Sequence, residues 1–116
     1  MERIFVIAQK DLVLLPFPFS DQTGRKVRPA IVISNDEFNN NSEDVLVVAV
    51  TSNISKGKYT IPLTNKDLEE GKLNVPCCIK VENILKIEKS MIIKKIGKIK
   101  GYKLEFIRKI IFDIIR

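Results

Sequence analysis

Histidine and tryptophan are absent from this chain of 116 residues, which has two cysteines, five glycines and five prolines. Without histidine, the usual general acid/base at neutral pH and the commonest metal ligand are both missing. Any hydrolytic chemistry therefore falls to Arg, Lys, Asp, Glu or hydroxyl groups. The two cysteines, Cys77 and Cys78, are adjacent. Neighbouring cysteines rarely bridge because the ring they close is strained, and no second pair completes a zinc site. They read as reduced thiols. No run approaches the roughly 20 apolar residues that a membrane helix needs. The opening MERIFVIAQK has too short an apolar core for a secretory signal, and no small-residue cleavage site follows it. Cytoplasmic residence without membrane association is the expectation. A phosphate-cradling glycine loop, a nucleophile elbow and metal-spaced carboxylates are also lacking, so no metal or other cofactor is expected.

The residues present fit one soluble domain over residues 1–116. Hydrophobic residues make up 45% and charged residues 29%, with a mean hydropathy of +0.03, enough apolar content for a single packed core. The net charge of +6 attracts anionic partners at long range, nucleic acid among them, without identifying one.

Hydrophobic patterning orders the chain. Residues 10–19, KDLVLLPFPF, read as a first strand whose end is an edge or a bend, because Pro16 and Pro18 cannot donate to a ladder. SDQTGRK is turn chemistry, and RPAIVISN is a second strand buried on both faces. DEFNNNSED is a polar connection with room for a helical turn. VLVVAVTSN, rich in β-branched residues, is the strongest strand and delivers Thr51, Ser52 and Asn53 to one end of the sheet. KGKYTIPLT reads as its hairpin partner, with Gly57 in the turn. NKDLEEG reads as a single helical turn with Asn65 as cap and Gly71 as stop. CCIKVENILKIE reads as a strand passing into a turn or 3₁₀ element near residues 82–85. In the tail, Leu104, Ile107, Ile111 and Ile114 fall at helical spacing, with Phe106, Ile110 and Ile115 widening the stripe, which gives an amphipathic helix. The sum is five or six mostly antiparallel strands and one terminal helix: a small, mainly β, barrel-like α+β domain.

A constellation of polar groups falls at strand ends. Arg28, held extended before Pro29, fits either an ion pair across the barrel edge or bidentate binding of a phosphate. Thr51 is a favoured strand residue, or else a hydroxyl that orients that phosphate. Glu82 and Asn83 fit a surface turn, and Lys94, Lys95, Lys98 and Lys100 fit a solvated face.

The stretch KDLVLLPFPFSDQTGRKVRPAIVIS resembles the N-terminal signature of PemK/MazF-like toxins of bacterial toxin–antitoxin modules. The likeness continues through VLVVAVTSNIS, LNVPCCIKVENILKIEKSMIIKKIGKI and the terminal helix, so it covers nearly the whole chain in order. It implies an SH3-like (PemK-like) antiparallel barrel with a C-terminal helix, and a homodimer whose interface helps form an RNA groove. It implies a sequence-selective, metal-independent endoribonuclease acting on single-stranded RNA, with a cognate antitoxin as partner. Carried over, Arg28 and Thr51 take the family's catalytic positions and Glu82 becomes a candidate base. Ser20, Asp21, Gln22, Thr23, Gly24, Arg25 and Lys26 form the mobile loop over substrate. Ser52, Asn53, Lys80 and Asn83 complete the RNA contacts. Many relatives read Arg-X-Asp where this chain has Lys80, Val81 and Glu82. That departure keeps a degenerate toxin that folds and binds antitoxin as one alternative; the other is a non-catalytic nucleic-acid-binding or interaction module on the same barrel.

Overall fold

The computed structural model describes residues 6–17, 26–54 and 57–116. Seven strands among these residues form one antiparallel sheet, curled into a half-barrel and closed by a C-terminal helix. In chain order they are β1 (Asp11–Phe17), β2 (Lys26–Val32), α1 (Asp36–Asn40), β3 (Asp44–Thr51), β4 (Thr60–Leu63), β5 (Leu68–Gly71), β6 (Cys77–Glu88), β7 (Lys94–Ile99) and α2 (Gly101–Ile115). In space the order is β4-β6-β3-β2-β1-β7-β5.

The two-residue period of a strand explains why the central strands are apolar on both sides. Leu12, Ile31, Val48 and Val50 point into one cluster, which Ile79, Ile99 and the α2 residues Leu104 and Ile107 complete. Val13, Ala30, Val32, Val45 and Val47 point the other way, into a second cluster that also holds Ile7 and Ile92. The expected burial of β2 on both faces follows. Pro16 lies where β1 pairs with β2 alone, because the ladder to β7 ends at Leu14, so the proline sits where no second donor is needed. The polar connection after β2 does turn helical, with the Asn35 side chain accepting the Phe38 N–H at 2.8 Å.

Several expectations are corrected. There are seven strands rather than five or six. β4 is not the hairpin partner of β3: it pairs with β6, which is inserted between them. The apolar run Cys77–Ile79 has neighbours on both sides only in that arrangement. NKDLEEG is helical only at Asn65–Asp67, as a 3₁₀ turn. Its cap is Thr64 rather than Asn65, with the Thr64 N–H donating to Asp67 Oδ2 at 2.9 Å. Leu68, which is buried, then extends to pair with Ile99. Gly71 is not the stop of the helical turn, which ends at Asp67; it is the last residue of β5, at φ +86, where a Cβ would collide with the backbone of Ile96 and Gly97. Residues 82–85 are not a turn: β6 runs unbroken to Glu88, with a change of register inside it. On α2, Ile110, Ile111 and Ile114 lean on the core, whereas Phe106 and Ile115 are 49% and 72% exposed. The lysine run is not simply a solvated face. Lys95 and Lys98 on β7 bring their ammonium groups to 3.2 and 3.5 Å from Oδ1 of Asp11, which is completely buried. The Ala8 N–H donates to Asp11 Oδ2 at 2.8 Å.

Candidate active site

The register of β2 on β3 pairs Ala30 with Ala49 and Ile31 with Val48. Continued by two residues, it sets Arg28 opposite Thr51. The ladder itself stops at Ala30, because Pro29 has no N–H to give. On its other side Arg28 pairs with Leu15 of β1, a buried anchor. The arginine is therefore fixed in backbone position at the end of a central strand. Its Nε is buried with no hydrogen-bond partner, and none of the ion pairs among the described residues includes it. An edge salt bridge, the structural alternative for Arg28, is thus not formed among the described residues. A guanidinium that is held but in no ion pair among the described residues is poised for an anionic ligand.

Thr51 closes its own small turn: its Oγ1 accepts the Asn53 N–H at 3.1 Å. That bond orients the hydroxyl and leaves its hydrogen to donate outward. Glu82 and Asn83 reach the same place through the irregularity in β6. Val48 pairs with Ile84, but the next β3 residue, Ala49, pairs with Lys80. Val81, Glu82 and Asn83 therefore bulge from the ladder. Val81 turns into the core while its N–H donates to Tyr59 O at 3.0 Å, and Glu82 and Asn83 stand exposed. A bulge that re-aims side chains beside a site is a recurrent use of this irregularity.

These groups line one cleft of about 440 Å³, where Arg28, Thr51, Asn53, Lys80, Glu82 and Asn83 surround an apolar floor that includes Ala49 and Ile84. Six sequence-derived candidates are thereby brought together. Ser52 is not among them: it lines a second cleft of about 460 Å³, which shares Arg28 and Thr51 with the first. The second cleft adds Lys72, Asn74 and Lys94, which sequence reasoning missed. Lys72 and Asn74 lie in a glycine- and proline-bounded turn, and Lys94 was hidden in the lysine run. Candidates Ser20, Asp21, Gln22, Thr23, Gly24 and Arg25 lie outside the described residues, as does the side chain of Lys26.

Cys77 lines the second cleft and is 5% exposed; burial first, and then the neighbouring Cys78 sulfur, push its thiol up from the ordinary value. Neither cysteine forms a disulfide. Among the described residues, no grouping of three or more His, Cys, Asp or Glu could hold a metal ion. None of their helices is long and apolar enough to cross a membrane.

A family model described as the PemK-like, MazF-like toxin of type II toxin–antitoxin systems matches residues 8–115. An endoribonuclease MazF of Staphylococcus saprophyticus is 33% identical over 94 residues, covering 79% of this chain and 74% of that protein. Among solved structures, a MazE–MazF crystal structure from Deinococcus radiodurans superposes with a TM-score of 0.76 at 20% identity, over 95% of this chain and 96% of the other. An endoribonuclease in complex with its cognate antitoxin from a mycobacterial species gives 0.75 at 13% identity, over 93% of each chain.

Proposed function

Because the chain belongs to the PemK-like, MazF-like toxin family of type II toxin–antitoxin systems, we propose that it is a sequence-selective endoribonuclease. In this reading it cleaves single-stranded RNA, mRNA included, without a metal ion. It acts in the cytoplasm as a homodimer and is neutralised by a cognate antitoxin. One observation carries the reading: the register that sets Arg28, fixed in backbone position and in no ion pair among the described residues, opposite Thr51 at the rim of a cleft holding Lys80, Glu82 and Asn83. The antitoxin claim rests on the mycobacterial and Deinococcus relatives, whose structures include complexes of that kind.

The chemistry suits a chain without histidine. The ribose 2′-oxygen attacks the adjacent phosphorus, the bond from phosphorus to the 5′-oxygen breaks, and a 2′,3′-cyclic phosphate and a 5′-hydroxyl result. One proton leaves the 2′-oxygen and one arrives at the 5′-oxygen, so the step consumes no net acid. The nucleophile is already tethered to the phosphate, so positioning supplies much of the acceleration. Arg28 stabilises the charge that grows on the phosphorane oxygens. Thr51 donates its hydroxyl hydrogen to the same group. Glu82, on the bulge across the cleft, takes the 2′-proton, and Asn53, Lys80 and Asn83 hold the nucleotide.

The test is incubation of the protein with labelled single-stranded RNA in EDTA, beside the Arg28→Ala variant and a substrate with 2′-deoxy positions. Cyclic-phosphate ends are expected from the wild type, with Arg28→Ala slower by about 10²–10³ and none from the 2′-deoxy substrate. RNA binding without cutting across a broad set of sequences would establish the non-catalytic reading instead.

A further inference from the structure

The two clefts differ in charge. The first combines Arg28 and Lys80 with the carboxylate of Glu82. The second has Arg28, Lys72 and Lys94 and, among its described lining residues, no acidic one. Lys72 and Lys94 are exposed, and neither takes part in any ion pair among the described residues. Their neighbours behave differently: Lys95 and Lys98 are engaged by Asp11, and Lys10 by Glu69. Two lysines without an ion pair among the described residues, pooled with the guanidinium in one recess, attract a polyanion rather than a zwitterionic or neutral ligand.

Strand geometry says how the clefts are related. β1 pairs Leu14 with Pro29 on one side and with Lys94 on the other, which makes a cross-strand row of Pro29, Leu14 and Lys94. The next row holds Arg28 and Leu15, with Thr51 beyond by continuation of the register. Consecutive residues of a strand face opposite sides of the sheet. The lysine row therefore opens on one face and the Arg28–Thr51 row on the other, at the same end of the sheet. Arg28 and Thr51 line both clefts because they lie on the rim between them.

From this arrangement, and resting on the endoribonuclease reading above, we propose that a single RNA strand bends over the sheet end with its scissile phosphate at the Arg28–Thr51 rim. Lys72 and Lys94 hold the neighbouring backbone phosphates in the second cleft. Pro29, Leu14 and Val75 there give a ribose or base an apolar surface. Reading of base identity is left to the other side, where Asn53, Asn83 and Glu82 present hydrogen-bonding groups. Phosphate contacts position a nucleic acid without specifying it, and contacts to base edges specify it. The two faces would thus divide affinity from selectivity.

The test uses an oligoribonucleotide spanning a mapped cut site, with deoxyribose at the attacking position so that it binds uncut. Its affinity is followed by fluorescence anisotropy from low to high salt, for the wild type, the Lys72→Ala/Lys94→Ala double variant and Lys109→Ala on α2 as a charge control. The double variant is expected to lower the slope of log affinity against log salt by ~1.4, the amount for two phosphate contacts on a single strand. Lys109→Ala keeps the wild-type slope. On cleavable RNA the double variant raises KM and cuts the same sequences as the wild type. A double variant with the wild-type slope, or one whose cut sequences change, overturns the proposal while leaving the endoribonuclease reading in place. A wild-type protein that neither binds nor cuts RNA overturns both.

Discussion

At the residue scale, the site depends on two side chains being held without being used up. Arg28 receives its position from the backbone, through Pro29 and the pairing with Leu15, and none of the ion pairs among the described residues engages its charge. Desolvating Nε without a partner is unfavourable in the free protein. A phosphate that reaches the guanidinium recovers part of that loss, which is one route from ground-state discomfort to binding. Thr51 is the cleaner case for measurement, because its shape and its chemistry can be separated. Thr51→Val keeps the β-branched form and removes the hydroxyl; Thr51→Ser keeps the hydroxyl. If the hydroxyl donates to the phosphorane, Thr51→Val lowers kcat by about 10²–10³ and Thr51→Ser retains most of it, with both melting near the wild-type temperature. Equal losses in the two variants would make Thr51 a packing residue.

At the scale of elements, α2 shows how one periodicity yields two faces. Leu104 and Ile107 fall four and seven residues into a wide apolar stripe and are buried against β6 and the core. Phe106 and Phe112 lie on the same helix but point away, 49% and 65% exposed. The run reads as an amphipathic helix with a wide apolar stripe, and only the docked face tells which residues of that stripe carry stability. Ile107→Ala is expected to destabilise by ~2–5 kcal/mol, the usual range for emptying a closed core position. Phe112→Ala should stay within about 0.5 kcal/mol. Chemical denaturation of the two variants measures both. β6 makes the complementary point. Its 12 residues pair with β3 along their length and with β4 at Cys77–Lys80, and the three-residue slip against β3 is what delivers Glu82 and Asn83 to the cleft.

At the scale of the whole molecule, a buried carboxylate adds a polar fastening to the apolar packing of helix on sheet. Asp67, 3% exposed, accepts from Tyr102 Oη at 2.6 Å and faces Lys103 Nζ at 3.5 Å, both from the first turn of α2. Burial alone would push its carboxyl up, but the bonds from Tyr102 and the Thr64 N–H, together with the charge of Lys103, outweigh it and hold the carboxyl below its ordinary value. A carboxyl depressed in the folded state adds stability that is present above the unfolded value, ~4, and is lost as pH falls through the folded value. Wild-type melting temperature should therefore drop below pH ~4, and Asp67→Asn should melt lower at neutral pH and show a flatter acid limb. An unchanged acid limb in Asp67→Asn would remove this carboxylate from the account. The same linkage acts in reverse on Lys95. Burial tends to pull its ammonium down, but Asp11 and Glu70 raise it, so its contribution is lost only in strongly alkaline solution.

Local pattern determined much of this protein. The β-branched and apolar runs marked the central strands, the 3.6-residue period marked α2, and the proline after Arg28 marked a fixed guanidinium at a strand end. Each of these follows from forces between near neighbours in the chain, which a sequence carries openly. Partnership was decided elsewhere. That β4 pairs with β6, that LEEG is a strand, that Asp11 recruits two lysines from β7, and that Lys72 and Lys94 share a recess with Arg28 all depend on residues far apart in sequence. A strand's period says which residues share a face, but not which strand lies beside it. That choice is made by the burial available to the whole sheet, and it brought separate polar strand ends to one cleft.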